Sequence, residues 1–324
     1  MRTVSGIIVC LLLLFGCGKP TANVAEYKYP FSVLLMAPGS VMDQSTNQRA
    51  YESLLKIGNE LKVNIFYKDM VNPIQINAIL SDIQSQNIDF VIGLGGQMIS
   101  PLTQAALKYP DIKFAVLGRY PGNFRNFGSL SYLPSYFYLA GTVAALKSKT
   151  GKIGTLVSDE MPETSEQVNA FLLGAKRVNP TIELFNVNLN STDNSALALK
   201  CTEAFKKQNV DVVYINCGAA GIMVHKWAAE NRIYTIGYLD DQHNLAPKTV
   251  LTSVIIDLHQ LLTNSIEMVM MGKWQGRAYR YGMTDNISSL AMLRGVLNPG
   301  QEKVFENVYR ELVQQRGDFS GMVD

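Results

Sequence analysis

The sequence predicts an α/β protein built as two doubly wound lobes in succession. Strand-length apolar runs alternate with segments of helical period through most of its 324 residues. The runs are continuous rather than alternating, as in parallel strands covered by helices on both faces. The series also begins twice, on either side of an aromatic-rich stretch, and the length suits two domains better than one.

Residues 31–37 (FSVLLMA) read as the first strand, and Asn47 to Lys62 as a helix with Ala50, Leu54, Leu55, Ile57 and Leu61 at helical spacing. Val63–Tyr67 precedes a helix over 74–86, Phe90–Leu94 precedes Pro101–Lys108, and Phe114–Leu117 closes the first set. The second set opens at Ile153–Val157. It continues through helix Ser165–Arg177, strand Ile182–Leu189, helix Ser195–Gln208, strand Val212–Ile215, helix Gly221–Asn231 and strand Tyr234–Tyr238. Between the sets lie Tyr120, Phe124, Phe127, Tyr132, Tyr136, Phe137 and Tyr138, expected mostly to pack at the lobe junction, with one or two lining the cleft. A long apolar helix (Leu258–Met271), a Gly- and Tyr-bearing segment and an amphipathic helix (Gln301–Gln315) follow, and are expected to return to the first lobe. The expected division is 30–130 for lobe 1, completed by about 258–324, and 131–257 for lobe 2.

Composition excludes several classes of function. The chain is 47% hydrophobic and 17% charged, and 29 Lys+Arg against 27 Asp+Glu leave a net charge of +2, so no electrostatic footprint for nucleic acid exists. No run approaches the roughly 20 apolar residues of a membrane-spanning helix. The N-terminus carries an address instead. Arg2, the apolar run Ile7–Phe15 and the order Leu14-Phe15-Gly16-Cys17 resemble a bacterial lipobox. Residues 1–16 are expected to be removed as a lipoprotein signal peptide, with Cys17 acylated and residues 17–29 serving as lipidated cysteine and tether. The folded part then keeps Cys201 and Cys217, which make no disulfide framework; a bridge between them is geometrically conceivable, and two small buried thiols is the preferred reading.

Catalytic and metal motifs are missing. Gly93-Leu94-Gly95-Gly96 follows a strand, but Met98 stands where a dinucleotide fingerprint needs its third glycine. There is no phosphate loop, no His-Glu-x-x-His and no G-x-S-x-G, and the three histidines at 225, 243 and 259 lack paired ligands. His225 and His259 read as packing or helix-surface residues. Asp240 and Asp241 point opposite ways if extended, which argues against an acid/base dyad; one of them could face the cleft, and a solvated loop or a helix cap suits the pair equally well. No cofactor, no metal and no enzymatic activity are expected.

Four segments carry a family resemblance: Tyr109-Pro110-Asp111-Ile112-Lys113-Phe114-Ala115; Tyr138-Leu139-Ala140-Gly141 with Lys149-Thr150-Gly151-Lys152-Ile153-Gly154; Gly174-Ala175-Lys176 with Val178-Asn179-Pro180; and Thr249-Val250-Leu251-Thr252-Ser253-Val254. Over about residues 31–290 the chain resembles the basic-membrane-protein family of lipoproteins, the substrate-binding components of nucleoside ABC importers. The resemblance implies a type I periplasmic-binding fold, two Rossmann-like lobes that close on a ligand. It also implies an ABC permease and ATPase as partners, a membrane anchor, a monomer and residence on the outer surface or in the periplasm. The family's first-lobe signature, Asp-Asp-Lys-Ser-Phe-Asn-Gln, is Met42-Asp43-Gln44-Ser45-Thr46-Asn47-Gln48 here. Further usual ligand positions are replaced by Gly118, Leu239 and Ile256, whereas Asp43, Ser45, Asn47 and Phe171 persist.

The expected ligand contacts are Asp43, Ser45, Asn47, Gly95 and Gln97 on one lobe and Phe171, Gly218, Asp240 and Asp241 on the other. Most follow strand ends or open helices on facing edges, although Asp43 and Asn47 also suit helix capping. The leading expectation is a lipid-anchored solute-binding protein that takes a nucleoside-like or other small molecule. Its rival is a sensory or regulatory lipoprotein retaining the fold, as in the competence-regulator lipoproteins of bacilli, a divergent branch with comparable departures. A secreted enzyme on an α/β scaffold is the third.

Overall fold

The computed structural model describes residues 29–83 and 87–318. The signal segment, Cys17 and residues 18–28 lie outside the described residues, as does the end of the helix expected over 74–86.

Two six-stranded sheets organise the chain. The first contains β1 (Ser32–Met36), β2 (Asn64–Lys68), β3 (Phe90–Leu94), β4 (Lys113–Leu117), β5 (Phe127–Tyr132) and β11 (Ala278–Tyr281), in the order β11-β5-β4-β3-β1-β2. Every pairing in it is parallel. The second contains β6 (Lys152–Val157), β7 (Glu183–Asn188), β8 (Val212–Asn216), β9 (Tyr234–Leu239), β10 (Val250–Ile256) and β12 (Ser288–Leu290), in the order β12-β10-β9-β8-β6-β7, with only β12 antiparallel. The central strands β1, β3 and β8 are buried nearly throughout, which is why their sequences are continuous apolar runs.

Around the first sheet lie α1 (Thr46–Glu60), α2 (Ile76–Ile83), α3 (Ile99–Lys108) and α8 (Leu258–Met270); around the second lie α4 (Ser135–Lys147), α5 (Pro162–Val178), α6 (Ser195–Lys207), α7 (Ala219–Glu230) and α9 (Pro299–Gln314). Among the described residues the chain passes between lobes three times, at residues 133–134, at Asp257 and at 282–287. The expectation that residues 258–324 complete lobe 1 holds for α8 and β11 only. β12 pairs with β10, and α9 packs on α4 with Arg177 of α5 on Glu311 at 3.2 Å, so both belong to lobe 2.

β5 and α4 have no counterpart among the sequence-predicted elements. Helix α4 is buried from Ser135 to Ala145, so no polar face marks its period. It crosses α5 through two glycines at very short range. A Cβ at Gly174 would fall 1.8 Å from the Tyr138 carbonyl oxygen, and one at Gly141 equally close to that of Phe171.

Candidate functional site

The carboxyl ends of the two sheets face each other across a cavity of about 400 Å³. Pro38 and Gly39 after β1, Leu94–Gln97 at the end of β3, Leu117–Arg119 at the end of β4 and Ser131 and Tyr132 of β5 form one wall. The opposite wall comes from Ser158 and Asp159 after β6, the first turns of α5, Thr192, Asn216 at the end of β8 and Tyr238 of β9. Ligands in open α/β sheets sit at this edge, where strands end and helices begin.

On the lobe 1 side, Asp43, Ser45, Asn47, Gly95 and Gln97 all line the cavity. Asp43 organises the entry to α1. One carboxylate oxygen accepts the Ser45 and Gln48 backbone N–H groups at 2.9 and 3.0 Å, and the other accepts Asn47 Nδ2 at 2.7 Å. Asp43 is thus a helix cap as well as a wall residue, while the N-cap Ser45 makes no side-chain capping bond. Gly95 adopts φ +83°, and a side chain there would collide with the Gln97 amide, so glycine is needed for Gln97 to fold back over it.

The lobe 2 wall was not found by sequence reasoning. Asp159 mirrors Asp43, accepting Met161 N–H at 3.0 Å and Thr164 Oγ1 at 2.6 Å to start α5. Gln167 and Asn216 meet at 3.1 Å, and the Tyr132 and Tyr238 hydroxyls meet across the lobes at 2.8 Å. Burial, reinforced by the facing hydroxyl, pushes Tyr132 well above the usual phenol range, and burial likewise raises Tyr238, so both hydroxyls stay protonated and one donates to the other. Glu163 crosses to accept the Arg119 backbone N–H, and Glu166 pairs with Arg280 and, at 3.4 Å, with Arg119. The signal was positional: Ser158-Asp159 directly follows a predicted strand, and Pro162 marks a helix start three residues before the one predicted.

All four contacts expected on lobe 2 are corrected. Phe171 is fully buried in the α4–α5 core, its ring stacked on Tyr214 at 5.4 Å, because it lies on the face of α5 that packs against α4 rather than at its start. Asp240 and Asp241 do point apart, but each goes to an arginine and neither lines the cavity. Asp240 meets Arg49 of α1 at 2.6 Å and Asp241 meets Arg294 at 2.5 Å. Partial burial works to raise the Asp241 carboxyl, and the hydrogen bonds from Arg294 and from His243 N–H outweigh it and hold it below the usual range. Gly218 stands apart from the main cavity. It begins α7 and, with Asp240, lines a small adjoining pocket of about 20 Å³ where the lobes touch at Ser45.

Of the five replaced family positions, two stay at the main cavity and three do not. Thr46 and Gly118 line the cavity, and the space beside Gly118 is filled from lobe 2, with Glu163 Oε1 3.1 Å from where a Cβ would stand. Leu239 and Ile256 are buried and Met42 is exposed. Of the aromatic group, Tyr132 reaches the cavity, whereas Phe127, Phe137 and Tyr138 are buried and Phe124 is 76% exposed.

His225 is not on a surface but wholly buried, with Nδ1 2.8 Å from Thr235 Oγ1 and Nε2 2.9 Å from Gln242 Oε1. Burial lowers its pKa to about 4. A neutral ring there accepts from Thr235 and donates to Gln242, pinning the turn after β9. His259 meets Glu60 at 2.9 Å. Cys201 and Cys217 are free thiols, and burial pushes Cys217 up to about 12, leaving it inert as a nucleophile. Among the described residues no group of His, Cys, Asp and Glu is placed to hold a metal ion, and no helix is long and apolar enough to cross a membrane.

Comparison with known proteins agrees with this geometry. The transcriptional activator protein Med of Bacillus subtilis is 26% identical over 312 residues, 95% of this chain and 94% of that protein. Basic membrane protein A of Borreliella burgdorferi is 25% identical over 305 residues, 87% and 86% of the two chains. A purine-binding protein of Brucella abortus is 27% identical over 198 residues, 60% of this chain and 55% of that one. Among solved structures, a transcriptional activator of the comK gene from Bacillus halodurans superposes with a TM-score of 0.75 at 23% identity, over 90% of this chain and 99% of that chain. A solute-binding protein of an ABC transporter system from Aeropyrum pernix gives 0.73 at 21%, over 88% and 86%. The fold is therefore the type I periplasmic-binding one that the sequence resemblance implied. The sequence model of the family described as ABC transporter substrate-binding protein PnrA-like matches residues 31–320, so the chain belongs to this family of binding proteins, which are not enzymes.

Proposed function

We propose that the chain is a lipid-anchored extracytoplasmic solute-binding protein of an ABC importer, holding one small molecule between its lobes. The carrying observation is the cavity of about 400 Å³ with polar side chains supplied by both walls. That volume suits a molecule of monosaccharide to nucleoside size. Asp43, Asp159, Glu163 and Glu166 line the cavity, with Arg119 as the one cation among the lining residues, which favours a guest rich in hydroxyl or amino donors. Thr46 offers no aromatic face where a base would stack and Gly118 no side-chain polar partner, so purine nucleosides are expected to bind weakly. Acylation at Cys17, supported by the lipobox order, supplies the anchor, and a permease and ATPase are the expected partners of a monomer.

The test is a thermal-shift screen of the delipidated chain against nucleosides, bases, sugars and amino acids. A ligand selective for the folded state raises stability by RT ln(1 + [L]/Kd), about 2.7 kcal/mol at a hundredfold excess over Kd. A clear shift with one chemical class supports the reading; no shift with any class favours its rival. That rival, a sensory or regulatory lipoprotein, draws support from the near full-length likeness to the Bacillus subtilis activator.

A further inference from the structure

We infer that the pole of lobe 1 farthest from the cleft is a contact surface for an anionic membrane. The inference rests on acylation at Cys17 for its geometry and on the pole itself for its chemistry. All six strands of the first sheet run parallel, so the segments that precede them share one end of the lobe. The described chain begins at that end, where Tyr29, ahead of β1, and Asn64, the first residue of β2, exchange hydrogen bonds. Residues 18–28, fully extended, span at most about 40 Å from the acylated cysteine. The tether thus joins the lobe at this end, which lies within that distance of the bilayer.

The surface there is amphipathic. Leu107 is 70%, Phe124 76% and Met271 61% exposed, on segments preceding β4, β5 and β11. These segments are fixed to one another. Phe124 N–H donates to the Gly276 carbonyl at 2.9 Å, Asn126 Nδ2 donates to the Ala106, Tyr109 and Ile112 carbonyls, and Trp274 Nε1 donates to the Asn126 carbonyl at 3.1 Å. From β1 to β11 is four strand steps, about 19 Å at 4.8 Å per step, well within reach of the tether.

Charge points the same way. Lys62, Lys108, Arg125, Lys273 and Arg277 are exposed at this pole. The exposed acids there are fewer: Glu60, which meets His259, with Asp82 and Asp111; Glu267 is half-buried, and Asp89 accepts the Ser32 N–H. Exposed Phe, Leu and Met interleaved with Lys and Arg are the composition of an interfacial surface. Each basic group near an anionic leaflet contributes about 1 kcal/mol. Resting on this end keeps the cleft, at the carboxyl ends of the same strands, open to solvent.

The test uses the processed chain from residue 17 carrying Cys17→Ser, so that no acyl chain contributes. Its sedimentation is compared with vesicles of equal parts phosphatidylglycerol and phosphatidylcholine and with vesicles of phosphatidylcholine alone. Preferential binding to the anionic vesicles is expected. Lys108→Glu and Lys273→Glu should each reduce that binding by at least about fivefold, the factor equivalent to 1 kcal/mol. Phe124→Ser with Met271→Ser should reduce it several-fold, whereas Met42→Ser with Met70→Ser, at the cleft end, should leave it unchanged. Equal sedimentation with both vesicles, or equal losses from the two pairs of serine variants, overturns the inference. Acyl labelling of the wild-type chain is read separately: its absence refutes the anchor at Cys17 and leaves the vesicle result standing on its own.

Discussion

His225 shows how a single buried side chain sets a pH limit on this fold. Its folded pKa is about 4 against an ordinary 6.5. Below 6.5 the unfolded chain takes up a proton that the folded chain refuses, so the stabilisation is complete above that pH and is lost as pH falls towards 4. The difference amounts to roughly 3 kcal/mol. Urea midpoints measured between pH 7 and 4 should fall steeply in the wild type and more gently in His225→Gln; parallel curves would refute the assignment. Phe171 supplies a second residue-scale test. Phe171→Ala should cost about 3–5 kcal/mol of stability and leave ligand affinity of the folded fraction unchanged, because the ring belongs to the core. Asp43→Ala should lose about 1–2 kcal/mol through the α1 cap and weaken binding as well, since the same carboxylate lines the cavity. The first-lobe cavity residues were legible because Asp43, Ser45 and Asn47 sit where a strand hands over to a helix. Phe171, Asp240 and Asp241 misled because their residue types suit a ligand equally well as a core or an arginine.

Elements were legible in proportion to the contrast between their faces. Strands buried on both sides, such as Phe90–Leu94, stand out as apolar runs, and the two-faced helices α1 and α9 stand out by period. Helix α4 has no exposed face through most of its length, and β12 is three residues long, so neither leaves a periodic trace. The α4–α5 crossing explains why Gly141 and Gly174 are glycines: two helix backbones occupy the space that side chains would need. Gly174→Ala must therefore part the helices, and is expected to cost about 3 kcal/mol or more in chemical denaturation. A loss under about 1 kcal/mol would mean that the crossing yields easily.

At the scale of the whole molecule, the lobes meet through contacts on opposite rims of the cleft. Arg49 joins Asp240 on one side, while Glu166 joins Arg119 and Arg280 on the other, with Glu163 reaching the Arg119 backbone. Partly exposed pairs of this kind contribute at most about 1 kcal/mol each, enough to bias closure but not to lock it. Glu166→Gln should shift the ligand-free chain towards a more open form, read as a larger radius of gyration in solution scattering, with little change in melting temperature. An unchanged radius would assign closure to the hinge segments alone. Binding between the lobes is tested most directly by titration calorimetry of the strongest screening ligand against one variant in each wall, Asn47→Ala in lobe 1 and Gln167→Ala in lobe 2. Both should weaken binding about tenfold or more, equivalent to 1.4 kcal/mol, while melting temperatures stay close to wild type; undiminished affinity in both variants would place the ligand outside the cleft.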